Sequence, residues 1–309
     1  MIKTILCATD FSEYFRFTID WGIWLSRWFS ARMLVFHAIP STRDALYATE
    51  VSVTGRSIDA DLEQTRQRLE SLMAERRVHW EPLLAYGDSV ENLIPLVSSR
   101  NIDLVVAASY GLSGLKRMLL GTVVERMARS LNCPLWVVRA DRAKVPSQRG
   151  IRKIAVACDF AEESHRVLET AADLAEAFGA EACLVHAIEA PLDEAVIEPT
   201  TGPYEEVQQE LQYRVQKRLQ ALFASAATTE AKTGTAVLQG HPGEEIPEYA
   251  RRWDADLIVV GVRPQGKVKK FLRGSTTEAL LRRAPCAVLA IPVANASVEK
   301  DAPNERRRP

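Results

Sequence analysis

Gly111, Gly121 and Thr122 lie in "AASYGLSGLKRMLLGTVVERMA", between the apolar run "IDLVV" and a helical pattern. Glycines at such a junction let the backbone approach a ligand closely and adopt positive φ. A helix N-terminus offers free N–H groups and partial positive charge, which suit a phosphate. A Ser or Thr there either caps the helix or gives its hydroxyl to an anion. A second junction of the same kind carries Gly261, Gly274, Ser275 and Thr276. The chemistry on offer is phosphate binding. The alternative is a tight turn whose threonine only caps. Neither junction is a Walker loop, because no Gly-Lys-Ser/Thr follows the strand, and the spacing does not fit the dinucleotide fingerprint. Asp10, closing the run "TILCATD", is placed to accept hydrogen bonds from a ribose.

The two junctions belong to a chain written twice. "IKTILCATDFSE" from Ile2 aligns with "IRKIAVACDFAE" from Ile151, so Asp10 falls on Asp159. His37 in "LVFHAI" falls on His186 in "CLVHAI" at the same offset of 149. Further on, Asp103 falls on Asp256, Gly121 on Gly274 and Cys133 on Cys286, at an offset of 153. The second copy therefore carries four extra residues, expected in the loop containing "EPTTGPYEE". The repeat unit is about 145 residues. The expected division is a first domain over 1–141, a linker over 142–150, a second domain over 151–293, and a disordered polar tail over 294–309.

Each copy must position its junction on a regular frame. In the first, apolar β-rich runs cover Thr4–Ala8, Met33–Ile39, His79–Ala85, Leu104–Ala108 and Leu135–Arg139. Helical patterns fill Glu13–Phe29, Ile58–Arg76, Ser89–Ser99 and Gly121–Leu131. Strands apolar along their length, alternating with helices, imply an α/β fold with a doubly wound parallel five-stranded sheet in each copy. Ligands then bind beyond the carboxyl ends of strands where the strand order reverses.

Bulk properties exclude several classes. The 309 residues suit two domains. With 39 basic and 40 acidic residues, no global field points to nucleic acid or an acidic membrane. The N-terminal stretch reaches Asp10 too soon for a signal peptide, and no apolar run approaches the roughly 20 residues of a membrane span. The five cysteines form no CxxC pair, which suits a reduced, cytoplasmic setting. The histidines show no ligand spacing, so no metal site is expected. His37 and His186, repeated at one place, read as structural.

On these residues both halves resemble the universal stress protein domain, and together its tandem type. The family motif is Gly-x2-Gly-x9-Gly-Ser/Thr. Here it reads Ala108-x2-Gly111-x9-Gly121-Thr122 and Gly261-x2-Pro264-x9-Gly274-Ser275. The resemblance implies an adenine-nucleotide-hydrolase-like fold and pairing of the copies through their last strands, "CPLWVV" and "CAVLAI", as an intrachain pseudo-dimer. It also implies ATP, with or without Mg, as ligand. The implied contacts in the first copy are Ala8, Thr9, Asp10, Ala38, Ala108, Gly111, Gly121, Thr122 and Val123. In the second they are Ala157, Asp159, Ala187, Gly261, Gly274, Ser275 and Thr276. Asp10 and Asp159 would hold the ribose, and the backbone of Ala38 and Ala187 the adenine. The first copy is favoured as the better site, because Pro264 fixes φ and removes an N–H and Cys158 replaces Thr9.

One feature lies outside that resemblance. Phe17, Trp21, Trp24 and Trp28 recur at helical spacing and form one stripe. Their counterparts in the second copy are Arg166, Thr170, Asp173 and Ala177. The positions apolar or small in both copies fall on the opposite side of the helix. The stripe is therefore expected to be a contact surface for another protein, another subunit, or the segment 41–57. The expected function is regulatory binding of an adenine nucleotide, without a base poised for efficient hydrolysis. The alternatives are a nucleotide-free interaction protein and a slow ATPase.

Overall fold

The computed structural model describes residues 2–40, 58–109, 122–139, 150–161, 164–189, 204–226, 233–263 and 276–293. Gly111, Gly121, Pro264, Gly274 and Ser275 lie outside the described residues. So do the segment 41–57, the linker up to residue 149 and the tail from residue 294.

The first copy contributes β1 (Thr4–Thr9), α1 (Phe15–Phe29), β2 (Arg32–Ile39), α2 (Ile58–Met73), β3 (Trp80–Tyr86), α3 (Ser89–Ser99), β4 (Leu104–Ala108), α4 (Thr122–Ser130) and β5 (Leu135–Val138). The second contributes β6 (Lys153–Ala157), α5 (His165–Phe178), β7 (Glu181–Ile188), α6 (Tyr204–Ala226), β8 (Thr233–Gln239), α7 (Pro242–Arg252), β9 (Leu257–Val262), α8 (Thr276–Arg283) and β10 (Ala287–Pro292).

All ten strands form one sheet, in the order β3-β2-β1-β4-β5-β10-β9-β6-β7-β8. Within each copy the neighbours are parallel. The copies meet through β5 and β10, which pair antiparallel with Trp136 opposite Leu289. The central strands β1, β4, β5, β9 and β10 are buried on both faces, which their continuous apolar sequences anticipate. The chain leaves β1 to either side, to β2 and to β4, so each copy has its switch point at the carboxyl end of its first strand.

Two cores cover the sheet, and each runs across both copies. One joins α1 and α2 to α5 and α6, and contains Trp21, Trp136 and Phe178. The other lies under α3, α4, α7 and α8. A repeated carboxylate fixes the entry to each copy. Asp103 accepts from the backbone N–H of Lys3 and Thr4 (2.7 and 2.8 Å), and Asp256 from Arg152 and Lys153 (2.8 and 3.0 Å). These aspartates tie the first and fourth strands together and do not face the ligand-binding ends. Asp88 caps α3 through Val90 and Glu91 N–H, both at 2.9 Å, and pairs with Arg126.

Part of the aromatic stripe of α1 meets the second copy of the chain. Trp24 stacks on Phe178 of the second copy, with ring centroids 5.6 Å apart. Trp28 packs on the same ring at 5.4 Å, and its indole N–H donates to the Ala177 carbonyl at 3.1 Å. Trp21 lies against Trp136 of β5 at 5.5 Å. The sequence reading expects another protein, another subunit or the segment 41–57 there and leaves the second copy out. Pairing of β5 with β10 brings α5 beside α1, so Trp24 and Trp28 pack on Phe178, while Trp28 stays 38 % exposed. The inner side packs on the sheet as expected, with Ile19, Gly22, Ile23 and Ser26 buried.

Candidate functional site

The second copy holds an open cavity of about 390 Å³ at the carboxyl ends of β6, β7 and β9, beside the N-termini of α7 and α8. Ala157, Asp159, Ala187, Gly261 and Thr276, drawn from four separate stretches of sequence, all line it. Cys158, His186 and Arg263 complete its polar and polarisable wall, while Val167, Ile246 and Val260 supply apolar surface. The volume falls within the range of small-molecule sites.

Asp159 is held in a tight turn. Its Oδ1 accepts from the Ser164 hydroxyl at 2.6 Å and from the Ala161 N–H at 3.1 Å. Its Oδ2 lies 3.4 Å from the Arg263 guanidinium. Burial pushes the carboxyl's pKa up, but these hydrogen bonds and the Arg263 charge outweigh it, so the group stays below the usual carboxylate range. The carboxylate is thus ionised at neutral pH. In the first copy Asp10 makes the corresponding turn, accepting the Ser12 N–H at 3.0 Å.

Behind each aspartate stands a feature that sequence reasoning missed. Phe11 and Phe160 both have φ of 58°, a left-handed conformation rare for bulky residues. Each ring is clamped. Phe11 packs tilted against His37 at 4.1 Å and lies under the Arg68 guanidinium at 4.6 Å. Phe160 packs tilted against His186 at 4.5 Å and lies under Arg218 at 4.5 Å. The histidines are fixed in turn, His37 Nδ1 donating to the Thr9 carbonyl at 2.8 Å and His186 Nδ1 to the Cys158 carbonyl at 2.7 Å. This gives the structural role expected for both. The available signal was the recurrence of Phe after Asp, and of Arg at 68 and 218, in both copies.

Gly261 does not need glycine for its backbone. Its φ lies outside the left-handed region, and an added Cβ would meet Val167 Cγ2 at 3.1 Å, with Val293 at 3.6 Å. Ala108 occupies the corresponding place at the end of β4, so that departure from the motif costs the first copy little. Cys158 is buried and its thiol pKa is pushed up by that burial, so it is a protonated wall residue rather than a reactive thiolate. Ser109, next to Ala108 and also unremarked in the sequence, is 2 % exposed, and its hydroxyl has no hydrogen-bond partner among the described residues.

One doubly wound, mostly parallel sheet, with a switch point at the first strand of each copy, defines an α/β protein. The family model described as the universal stress protein family matches residues 1–139 and again 150–292. The chain belongs to that family and carries its domain twice. A curated relative, universal stress protein Rv2005c of Mycobacterium tuberculosis, is 26% identical over 220 residues, covering 71% of each chain. The crystal structure of a universal stress protein from Archaeoglobus fulgidus matches with a TM-score of 0.65 at 20% identity, covering 94% of this chain and 96% of that one. A universal stress protein solved in complex with cAMP matches 46% of this chain and 97% of its own, with a TM-score of 0.35 at 19% identity. Among the described residues, no helix is long and apolar enough to cross a membrane.

Proposed function

We propose that this chain is a regulatory binding protein for an adenine nucleotide, ATP with or without Mg. The observation that carries the reading is the cavity of the second copy, lined by five of the residues that the family resemblance implies for the nucleotide. The ribose hydroxyls meet the ionised Asp159, the adenine edge meets the backbone beside Ala187, and the phosphates lie at the N-terminus of α8. A helix N-terminus suits a phosphate through its leading N–H groups and the positive end of its dipole. Arg263 competes with the ribose for Asp159 Oδ2, so nucleotide entry rearranges this pair. In the first copy Asp10 and the N-terminus of α4 take the same parts.

The nucleotide in this reading is a bound signal and not a turned-over substrate. The experiment is to denature the purified protein, chromatograph what it releases, and repeat this for Asp10→Ala with Thr122→Ala and for Asp159→Ala with Thr276→Ala. Adenine nucleotide released by the wild type, and reduced by one or both pairs, supports the reading and says which copy holds it. Release unchanged in both variants would place the nucleotide elsewhere and overturn it.

A further inference from the structure

A second cavity, of about 310 Å³, lies where the two copies join. It shares no lining residue with the cavity at the second switch point. Four arginines line it: Arg139, which follows β5 of the first copy, Arg251 of α7, and Arg282 and Arg283 at the end of α8. Glu244 and Glu248 of α7 are the acids in its wall. Because β5 runs antiparallel to β10, with Val137 opposite Val288, Arg139 reaches the amino end of β10. That is the end of the second copy's sheet away from its switch point.

The repeated domain does not require this cluster. At the offset of 153, Arg251 and Arg283 correspond to Ser98 and Ser130, and Arg139 corresponds to Pro292. Arg282 alone recurs, as Arg129, and each pairs with the glutamate one turn before it, Glu278 and Glu125. That pair belongs to the helix. The other three arginines are additional to the fold.

Their present partners leave room for a ligand. Arg283 meets Glu244 at 2.8 Å, and Arg251 meets Glu248. Both pairs are half-exposed, and exposed ion pairs contribute little stability. Among the described residues each of these two guanidiniums spends one nitrogen on its glutamate, which leaves further N–H donors of the fork. Arg139 is buried, and its Nη1 donates to the Arg282 carbonyl. It sets a positive charge against the carbonyl end of α8, whose dipole would otherwise repel an anion. Four guanidiniums against two lining carboxylates leave an excess of two positive charges around one cavity. Planar guanidinium forks match phosphate oxygens in pairs.

We propose that this cavity binds a compact, multiply charged oxyanion of the pyrophosphate class. Arg251 and Arg283 hold it from the second copy, and the Arg139 charge supports it from the first. The site needs both copies, and it stands apart from the nucleotide reading above.

The test is calorimetric titration of the nucleotide-stripped full-length chain with inorganic pyrophosphate. The variants are Arg251→Gln with Arg283→Gln, and Arg251→Lys with Arg283→Lys. Two further pairs, Asp10→Ala with Thr122→Ala and Asp159→Ala with Thr276→Ala, remove the nucleotide contacts. The expected result is saturable binding by the wild type, about tenfold weaker in the glutamine pair. The lysine pair keeps the charge without the fork and falls between. One class of pyrophosphate site survives in both nucleotide-contact pairs. Thermal midpoints of the unliganded proteins check folding, and if the glutamine pair lowers the midpoint, the lysine pair carries the comparison. Binding equal to wild type in both arginine pairs would overturn the proposal. So would complete loss of binding in either nucleotide-contact pair, or no binding of pyrophosphate by the wild type. Failure of ATP to bind would end the nucleotide reading and leave this result as it stands.

Discussion

Trp28 donates its indole N–H to the carbonyl of Ala177, the residue that stands at Trp28's own place in the second repeat. The two helices therefore cross at the pseudo-twofold axis relating the copies. Across that axis the first copy presents Trp24 and Trp28, and the second presents Ala177 and Phe178.

Phe178→Ala should destabilise the chain by about 3 kcal/mol, because it empties a buried ring site lined by Trp24, Trp28 and Phe29. Urea unfolding followed by tryptophan fluorescence measures it. A double-mutant cycle of Trp24→Ala with Phe178→Ala should show coupling of about 0.5–1.5 kcal/mol. Additive effects would mean the stacked rings contribute area only.

Gly22 and Gly261 should respond unequally to alanine. A Cβ at Gly22 would lie 2.1 Å from Cys7 Sγ, inside the contact of α1 with β1. Gly22→Ala should cost about 2 kcal/mol or more, despite alanine's better helix propensity. Gly261→Ala would bring its Cβ to 3.1 Å from Val167 Cγ2 and 3.6 Å from Val293, a far looser fit than at Gly22, so it should cost only about 1 kcal/mol. Thermal midpoints of the two variants decide this. A Gly261→Ala loss as large as that of Gly22→Ala would show that the second strand end has no room for the first copy's residue.

His37 should make the protein acid-sensitive. Burial lowers its pKa from the ordinary 6.5, and the Thr9 carbonyl and the Asp10 charge only partly oppose this. Below 6.5 the unfolded chain takes up a proton that the folded one resists, so this group's contribution is full above pH 6.5 and is lost as pH falls through the folded value. The slope from one such proton is at most about 1.4 kcal/mol per pH unit. Urea midpoints from pH 7.5 to 5.5 should fall in the wild type and fall less steeply in His37→Asn. Parallel profiles would assign the acid sensitivity to other groups.

Much of this frame was legible in the sequence. The apolar runs gave β1, β2, β4 and β5 to within a residue or two, because a strand buried on both faces leaves no doubt about its period. The repeat offset identified the α1 stripe as additional to the shared sheet-facing side. It did not say what covers the stripe, since spacing fixes a face and only the pairing of β5 with β10 fixes what that face meets. The Asp10 and Asp159 turns could be placed at strand ends from sequence. The left-handed Phe11 and Phe160 that brace them could not, because no local preference puts phenylalanine at positive φ. The clamp from His37 and Arg68 is tertiary and appears only when α2 packs over β2. Ser109 escaped notice for a similar reason. An ordinary serine after a strand is unremarkable until its hydroxyl is found buried and without a partner among the described residues.

The central claim is that this tandem protein holds an adenine nucleotide at its switch points. It is tested most directly by titrating the nucleotide-stripped chain with ATP in a calorimeter, beside Asp159→Ala and Asp10→Ala. The account predicts saturable binding, a raised thermal midpoint with ATP as linkage requires, and loss of one class of site with each substitution. No heat and no change in midpoint at millimolar ATP would contradict it.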